Sequence, residues 1–369
     1  MVDKLINLIQ KLRVPKVILR YIMMNFLDLS TINNLLLIVK EMNILDMHSK
    51  DLIVKANSGF IWNCQNGHLL VAQWLYSHYN VDIHAYDESA FKLCCQYGHL
   101  TVAQWLYSLA QGQGEVNIHA NDESAFRLCC ANGHLTIAQW LYSLSEVNIH
   151  AGDESAFRLC CKNGHLTVAQ WLYSLAQGQS KVNIHAHDEY AFRLCCENGH
   201  LTVAQWLYSL DKGMNRTDSY SLAQGQGDVN IHAHGEYAFK RCCANGHLTV
   251  AQWLYSLGGV NIHADNENAF RMSCSNGHLT VAKWLYSLGE GMDRSDPYSL
   301  ARKGQGSVNI HVANEYAFKW TCANGHLTVA QWLYSLGGVN IYANNRFAFT
   351  SANKDVLDWL YNLHKNTKN

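Results

Sequence analysis

The chain has 369 residues, 28 Lys plus Arg against 29 Asp plus Glu, and 49% hydrophobic residues. This near balance of charge gives no electrostatic case for nucleic acid or an anionic membrane surface, and the apolar content excludes global disorder. The length exceeds what one packed core usually supports, so several domains or one repeat array is expected.

Residues 1–50 do not repeat. Met1–Gln10 carries Asp3 and Lys4 and no sustained apolar run, so no secretory signal is expected. No run of about 18 apolar residues occurs, so no membrane span is expected. An apolar helical stripe follows Pro15 through Ile18, Leu19, Ile22, Met23 and Phe26. Leu27-Asp28-Leu29-Ser30-Thr31 breaks it, and a second stripe uses Ile32, Leu35, Leu36, Ile38 and Val39. The order V-P-x-x-I-L…F-L-D-L…L-L-L-I-V-K over residues 14–42 resembles an F-box, which implies docking on a Skp-type adaptor of a ubiquitin ligase. A hydrophobic cap over the open end of the first repeat explains the same residues.

From about residue 55 the string NGHLTVAQWLYSL recurs. Its Gly-His pair falls at 67–68, 98–99, 133–134, 164–165, 199–200, 246–247, 277–278 and 325–326. The smallest spacing, 31 residues, is the underlying unit. In the unit that begins at His119, Asn121 and Asp122 are candidate helix N-caps and Glu123 a first-turn acid. Ala125, Phe126, Cys129 and Cys130 give a first helix, and Asn132-Gly133 stops it. A second helix runs from about Leu135 to Leu144, and an extended V-N-I-H follows. Neither helix is long enough to stand alone, so stacking has to bury the apolar faces. Longer loops follow Leu210 and Leu288 (near 211–228 and 289–307), and each repeats a Tyr-Ser-Leu element, at Tyr220–Leu222 and Tyr298–Leu300. Long surface insertions are tolerated and often carry binding. A ninth copy at the end lacks the Gly-His pair, but Val356, Trp359, Leu360 and Tyr361 keep the helical register.

The unit resembles an ankyrin repeat. Ser124, Ala125, Phe126, Arg127, Leu128, Cys129, Cys130, Ala131, Asn132, Gly133 and His134 follow the family pattern T-P-L-H-x-A-A-x-x-G-H, with the T-P-L-H start replaced. The resemblance implies an all-α ankyrin-repeat solenoid over 55–369, about nine units, preceded by a small helical segment at 1–50. Cys-Cys for Ala-Ala and Trp-Leu-Tyr for Leu-Leu-Leu are similar to ankyrin arrays of giant DNA viruses, which implies a host-cell setting.

Glu followed four residues later by a base recurs (Glu88–Lys92, Glu123–Arg127, Glu154–Arg158, Glu189–Arg193, Glu236–Lys240, Glu267–Arg271, Glu315–Lys319). On a right-handed helix such pairs stabilise by a few tenths of a kcal/mol, as a solvated face or as a charged stripe for a partner. The 13 cysteines are odd in number and mostly adjacent pairs, which excludes a secreted disulfide scaffold. Adjacent helical cysteines diverge by about 100° and share no tetrahedral ion readily, so small core packing is expected and zinc at Cys95 and His99 is disfavoured. A reducing cytoplasmic or nuclear location follows. Fifteen phased histidines argue for structure rather than catalysis, and the spacing of His185/His187 and His232/His234 alone would suit metal.

The informative column varies. Tyr86, Asp87, Asn121, Asp122, Asp153, His187, Asp188, His234 and Asp265 fall at loop tips, and Tyr190, Tyr237, Asn268 and Tyr316 stand two residues on, where Ser89, Ser124 and Ser155 stand in earlier units. The resemblance implies that tips and first helices bind a protein partner, so these thirteen are the candidate contacts. No phosphate loop, nucleophile elbow or H-E-x-x-H interrupts the repeats, so no enzyme and no cofactor is expected. The rival reading is a metal- or redox-responsive Cys/His-rich structural protein.

Overall fold

The computed structural model describes residues 49–109, 114–175, 181–212, 229–290 and 307–366. The F-box-like segment 14–42 and insertion residues 213–228 and 291–306 lie outside the described residues. Among the described residues there are eighteen helices and no strand. They make nine pairs: α1 (Ser49–Gln65) with α2 (Leu69–His78), α3 (Ala85–Gln96) with α4 (Leu100–Ser108), α5 (Ala120–Ala131) with α6 (Leu135–Leu144), and α7 (Ala151–Lys162) with α8 (Leu166–Leu175). They continue with α9 (Ala186–Glu197) and α10 (Leu201–Lys212), α11 (Ala233–Ala244) and α12 (Leu248–Ser256), and α13 (Ala264–Ser275) and α14 (Leu279–Glu290). The last are α15 (Val312–Ala323) with α16 (Leu327–Ser335), and α17 (Ala343–Ser351) with α18 (Lys354–Asn366). Each pair is one unit, numbered 1 to 9 in chain order. The chain divides into two compact bodies, Met1–Ala156 and Phe157–Asn369, with the division inside α7. In each body the architecture is the stack of helix pairs expected from the repeat.

The turn between paired helices is built on glycine. In unit 6, Gly246 sits at φ +83, and the amide of His247 donates back to the Cys242 carbonyl at 2.9 Å. A side chain at Gly246 would also meet the ring of His278 in the next unit, at 2.5 Å from Nδ1. Positive φ and this close approach both select glycine. In the last unit Asn353 takes the place of that histidine: its Nδ2 lies 2.5 Å from the Cβ position of Gly325.

Aromatic contacts tie successive units. Trp253 meets Phe192 at 6.2 Å and Tyr208 at 5.8 Å, the latter edge-on at 88°. The same triad recurs in the N-terminal body at Phe91, Tyr107 and Trp140, and at the last unit at Phe318, Tyr334 and Trp359. Each such ring pair adds about 0.5–1.5 kcal/mol beyond its buried area. The expected register of the ninth copy holds for Val356 and Leu360, both fully buried, while Tyr361 is exposed.

All thirteen cysteines are free and buried. Burial pushes the thiols of Cys95, Cys161, Cys196 and Cys243 well up, and that of Cys322 up to about 12. Such thiols are poor nucleophiles. A thiol reagent should therefore label none of them in the native protein and all of them after denaturation. Replacing Cys160 and Cys161 with Ala should lower stability by only about 1–2 kcal/mol, because each change removes one atom from a close-packed core. Rapid labelling of the native protein, or loss of the cooperative transition in the variant, would overturn the structural role.

Candidate functional site

The segment that leads into each first helix departs from the sequence expectation. Asn121, Asp122 and Glu123 adopt φ 54, 57 and 60 and ψ 50, 60 and 34, one turn of left-handed conformation. The same turn stands at Tyr86–Glu88, Gly152–Glu154, His187–Glu189, His234–Glu236, Asp265–Glu267, Ala313–Glu315 and Asn344–Arg346. Asn121 and Asp122 are therefore not N-caps; no side-chain cap bond forms at the start of α5. A non-glycine residue in this region is disfavoured by about 1–2 kcal/mol, so surrounding contacts have to hold it. Arg127 supplies part of the hold: Nε donates to the Asp122 carbonyl at 2.6 Å and Nη2 to the Asn121 carbonyl at 2.9 Å. Arg193 and Arg271 repeat both bonds in their own units.

The Glu column is thus corrected. Glu88, Glu123, Glu154, Glu189, Glu236, Glu267 and Glu315 are 5–7% exposed, neither a solvated face nor a charged stripe. The i,i+4 argument needs a right-handed helix, and the left-handed turn swings each carboxylate inward. It meets the histidine four residues before it: His84 Nδ1 donates to Glu88 at 2.7 Å, and His119, His150, His185, His232, His263 and His311 do the same in their units at 2.7–2.9 Å. The same oxygen accepts the backbone N–H of the asparagine that opens the next unit. Asn117 donates to Glu88 at 3.1 Å, Asn148 to Glu123 at 3.2 Å, Asn230 to Glu189 at 3.2 Å and Asn261 to Glu236 at 3.2 Å. Seven of the fifteen histidines are therefore structural partners of a buried acid. In the last unit Tyr342 and Arg346 replace the pair and stack, 5.5 Å apart.

The Gly-His histidines form a second ladder. Burial lowers the imidazole pKa of His68, His99, His200, His247 and His278, which favours the neutral ring in the folded chain. On acidification the unfolded chain takes up protons first, near the ordinary value of 6.5. Stability from these groups is fully present above that value and is lost as pH falls through it toward the lowered folded values. The melting temperature should therefore drop between pH 8 and pH 5.5. Changing His200, His247 and His278 to Asn, the residue at Asn353, should flatten that drop; an unchanged slope would overturn the assignment.

On this frame the tips stand outward. Tyr86 is 62% exposed, and Asp87, Asn121, Asp122, Asp153, His187, Asp188, His234 and Asp265 are exposed too. Adjacent tips approach one another: His234 Nε2 lies 3.4 Å from Asp188, and Lys240 pairs with Asp265. Tyr190, Tyr237, Asn268 and Tyr316 are half-buried. The three tyrosines lie beneath the arginine of the preceding unit, Arg158 at 5.0 Å, Arg193 at 4.9 Å and Arg271 at 4.6 Å, and so are partly committed to the stack. Tyr237 also donates to Glu197 at 2.8 Å, and Arg241 grips the same carboxylate at 2.7 Å.

Residues 126–218 match the family model described as ankyrin repeats, three copies. Units 2, 6, 7 and 8, outside that stretch, carry the same glycine turn, the same aromatic triad and the same close approach to glycine, and units 1 and 9 keep the helix pair, so the repeat fold extends over them. No curated protein matches the chain. The ankyrin frame leaves out the Leu column of the first helix: Leu93, Leu128, Leu159 and Leu194 give way to Arg241, Met272 and Trp320. Sequence reasoning missed that break, although it is visible as a change in an otherwise constant column. Among the described residues no group of three or more His, Cys, Asp or Glu side chains could hold a metal ion.

Proposed function

We propose that this chain is a non-enzymatic protein-interaction scaffold that takes its partner on the exposed tips and the outward face of the first helices. The carrying observation is a division of labour within each unit. From unit 2 to unit 8 the Glu, His, Gly, Phe and Trp positions of the frame keep one residue type, while the tip pair changes: Tyr86-Asp87, Asn121-Asp122, Gly152-Asp153, His187-Asp188, His234-Gly235. Ankyrin repeats as a class support protein binding. The test is retention of proteins from a eukaryotic lysate by the tethered full chain. The comparison is a variant with Asn121, Asp122, His187 and Asp188 changed to Gly, which accepts the positive φ at all four. The wild type should retain specific proteins and the variant should lose them while keeping its helical dichroism. Equal recovery by both would move the site elsewhere, and recovery of nothing above an unrelated column would overturn the scaffold reading.

The pattern at Val14, Pro15, Ile18, Leu19, Phe26, Leu35 and Leu36 supports a second role, recruitment of the bound partner to a Skp-type adaptor. The chemistry would then belong to the ligase and this chain would supply proximity. Co-purification with such an adaptor, lost on Leu36→Asp, is the expected result; no adaptor recovered where a known F-box protein recovers it leaves only the cap. A reducing cytoplasmic or nuclear setting, the host cell's if the chain is viral, agrees with thirteen buried free thiols.

A further inference from the structure

The first-helix face changes chemistry along the C-terminal body. In α3, α5 and α7 the corresponding positions i and i+4 are Ser89/Leu93, Ser124/Leu128 and Ser155/Leu159, with Ser155 buried and the others half-buried. In α13 they are Asn268 and Met272, in α15 Tyr316 and Trp320, and Phe347 opens the same face of α17. Spacing of four puts each pair on one side of its helix. The rings gather: Tyr316 lies 6.0 Å from Trp320, and Trp320 lies 5.1 Å from Phe347. Trp320 nevertheless stays 39% exposed. An indole stands partly in water here where a leucine serves in four other units.

Two basic side chains flank this patch. Arg271 stacks on Tyr316 and Arg346 is exposed, and among the described residues no carboxylate pairs with either. The tip positions that carry Asp87, Asp122, Asp153 and Asp188 in earlier units carry Asn266, Asn314 and Asn345 here, and the one acid left in these tip pairs, Asp265, is paired with Lys240. Trp, Tyr and Arg are the residues that dominate binding energy at interfaces, and Met suits an adaptable contact. Uncompensated positive charge beside them selects a negative partner.

We propose that the outward face of α13, α15 and α17 is the docking site for a protein segment that presents an aromatic or aliphatic side chain flanked by Asp or Glu. The apolar side chain would sit on Trp320 between Tyr316 and Phe347, and its acidic neighbours would face Arg271 and Arg346. This assignment rests on the interaction reading above and narrows it to one end of the array and one partner chemistry.

The test is a phage-displayed library of random peptides selected on the full chain and on a full-chain variant with Tyr316→Ser and Trp320→Leu. These are the residues of units 2 to 4 at the same positions, so the variant keeps the fold. Peptides recovered on the wild type should share an apolar residue beside Asp or Glu. A synthetic copy should bind the variant at least about tenfold more weakly, and its affinity should fall with added salt. Peptides that bind both proteins equally, or a consensus flanked by Lys or Arg, would overturn this assignment and leave the scaffold reading standing. No peptide on either protein would overturn it as well, and together with a blank lysate experiment would remove both. Concentration-dependent self-association that vanishes in the variant would instead make a second copy the occupant.

Discussion

Glu267→Ala should lower the stability of the full chain by about 3 kcal/mol, well beyond the effect of a surface change. One oxygen of Glu267 accepts His263 Nδ1 at 2.7 Å and the backbone N–H of Asn309 at 3.2 Å, across the insertion that separates units 7 and 8. Glu267 is 5% exposed, so water does not replace it freely. Removing the acceptor deletes two bonds to a charged group and strands a backbone donor, each of which lies in the range of about 1–3 kcal/mol. Glu267→Gln keeps an oxygen in place and should recover most of the loss. Denaturant unfolding gives the energies, and hydrogen exchange at Asn309 gives the location. If Ala and Gln behaved alike, or if Asn309 kept its protection in the Ala variant, the carboxylate would not be the tie between units.

That tie was only half visible in the sequence. The helix pairs, the Gly-His turn and the ninth copy were legible because they depend on period and on residue type, both of which repeat. The direction of Glu267 depends on backbone handedness. Read as right-handed, Glu267 points toward Arg271 four residues on; in the left-handed turn it points back to His263 and across to Asn309, and Arg271 holds the carbonyls of Asp265 and Asn266 instead. The signal that could have shown it was the equally regular His-x-x-x-Glu spacing, present in every unit that has the acid and absent where Tyr342 and Arg346 stand. The tip residues were found because they vary on a constant frame. The part of Tyr190, Tyr237 and Tyr316 that belongs to the stack was not, since it rests on the distance to an arginine in the preceding unit.

Gly246→Ala should cost about 3 kcal/mol, against about 1 kcal/mol for Gly258→Ala in the same unit. Both glycines have positive φ, +83 and +90, so both lose about the same on gaining a side chain that disfavours this region. They differ in surroundings. A Cβ at Gly258 meets nothing within 4 Å, whereas at Gly246 it meets His278 Nδ1 at 2.5 Å, Cε1 at 2.8 Å and Cγ at 2.9 Å. The ring has little room to yield, because it is partly buried and bonded to the Ala244 carbonyl. Moving it forfeits that bond, about 1 kcal/mol, and loosens the seam between units 6 and 7. The double variant Gly246→Ala with His278→Ala isolates the steric part: the second change should cost less in the presence of the first than alone, since the clash has gone. Strictly additive effects of the two changes would show that the ring and the glycine do not meet, and that the turn selects glycine for its backbone alone.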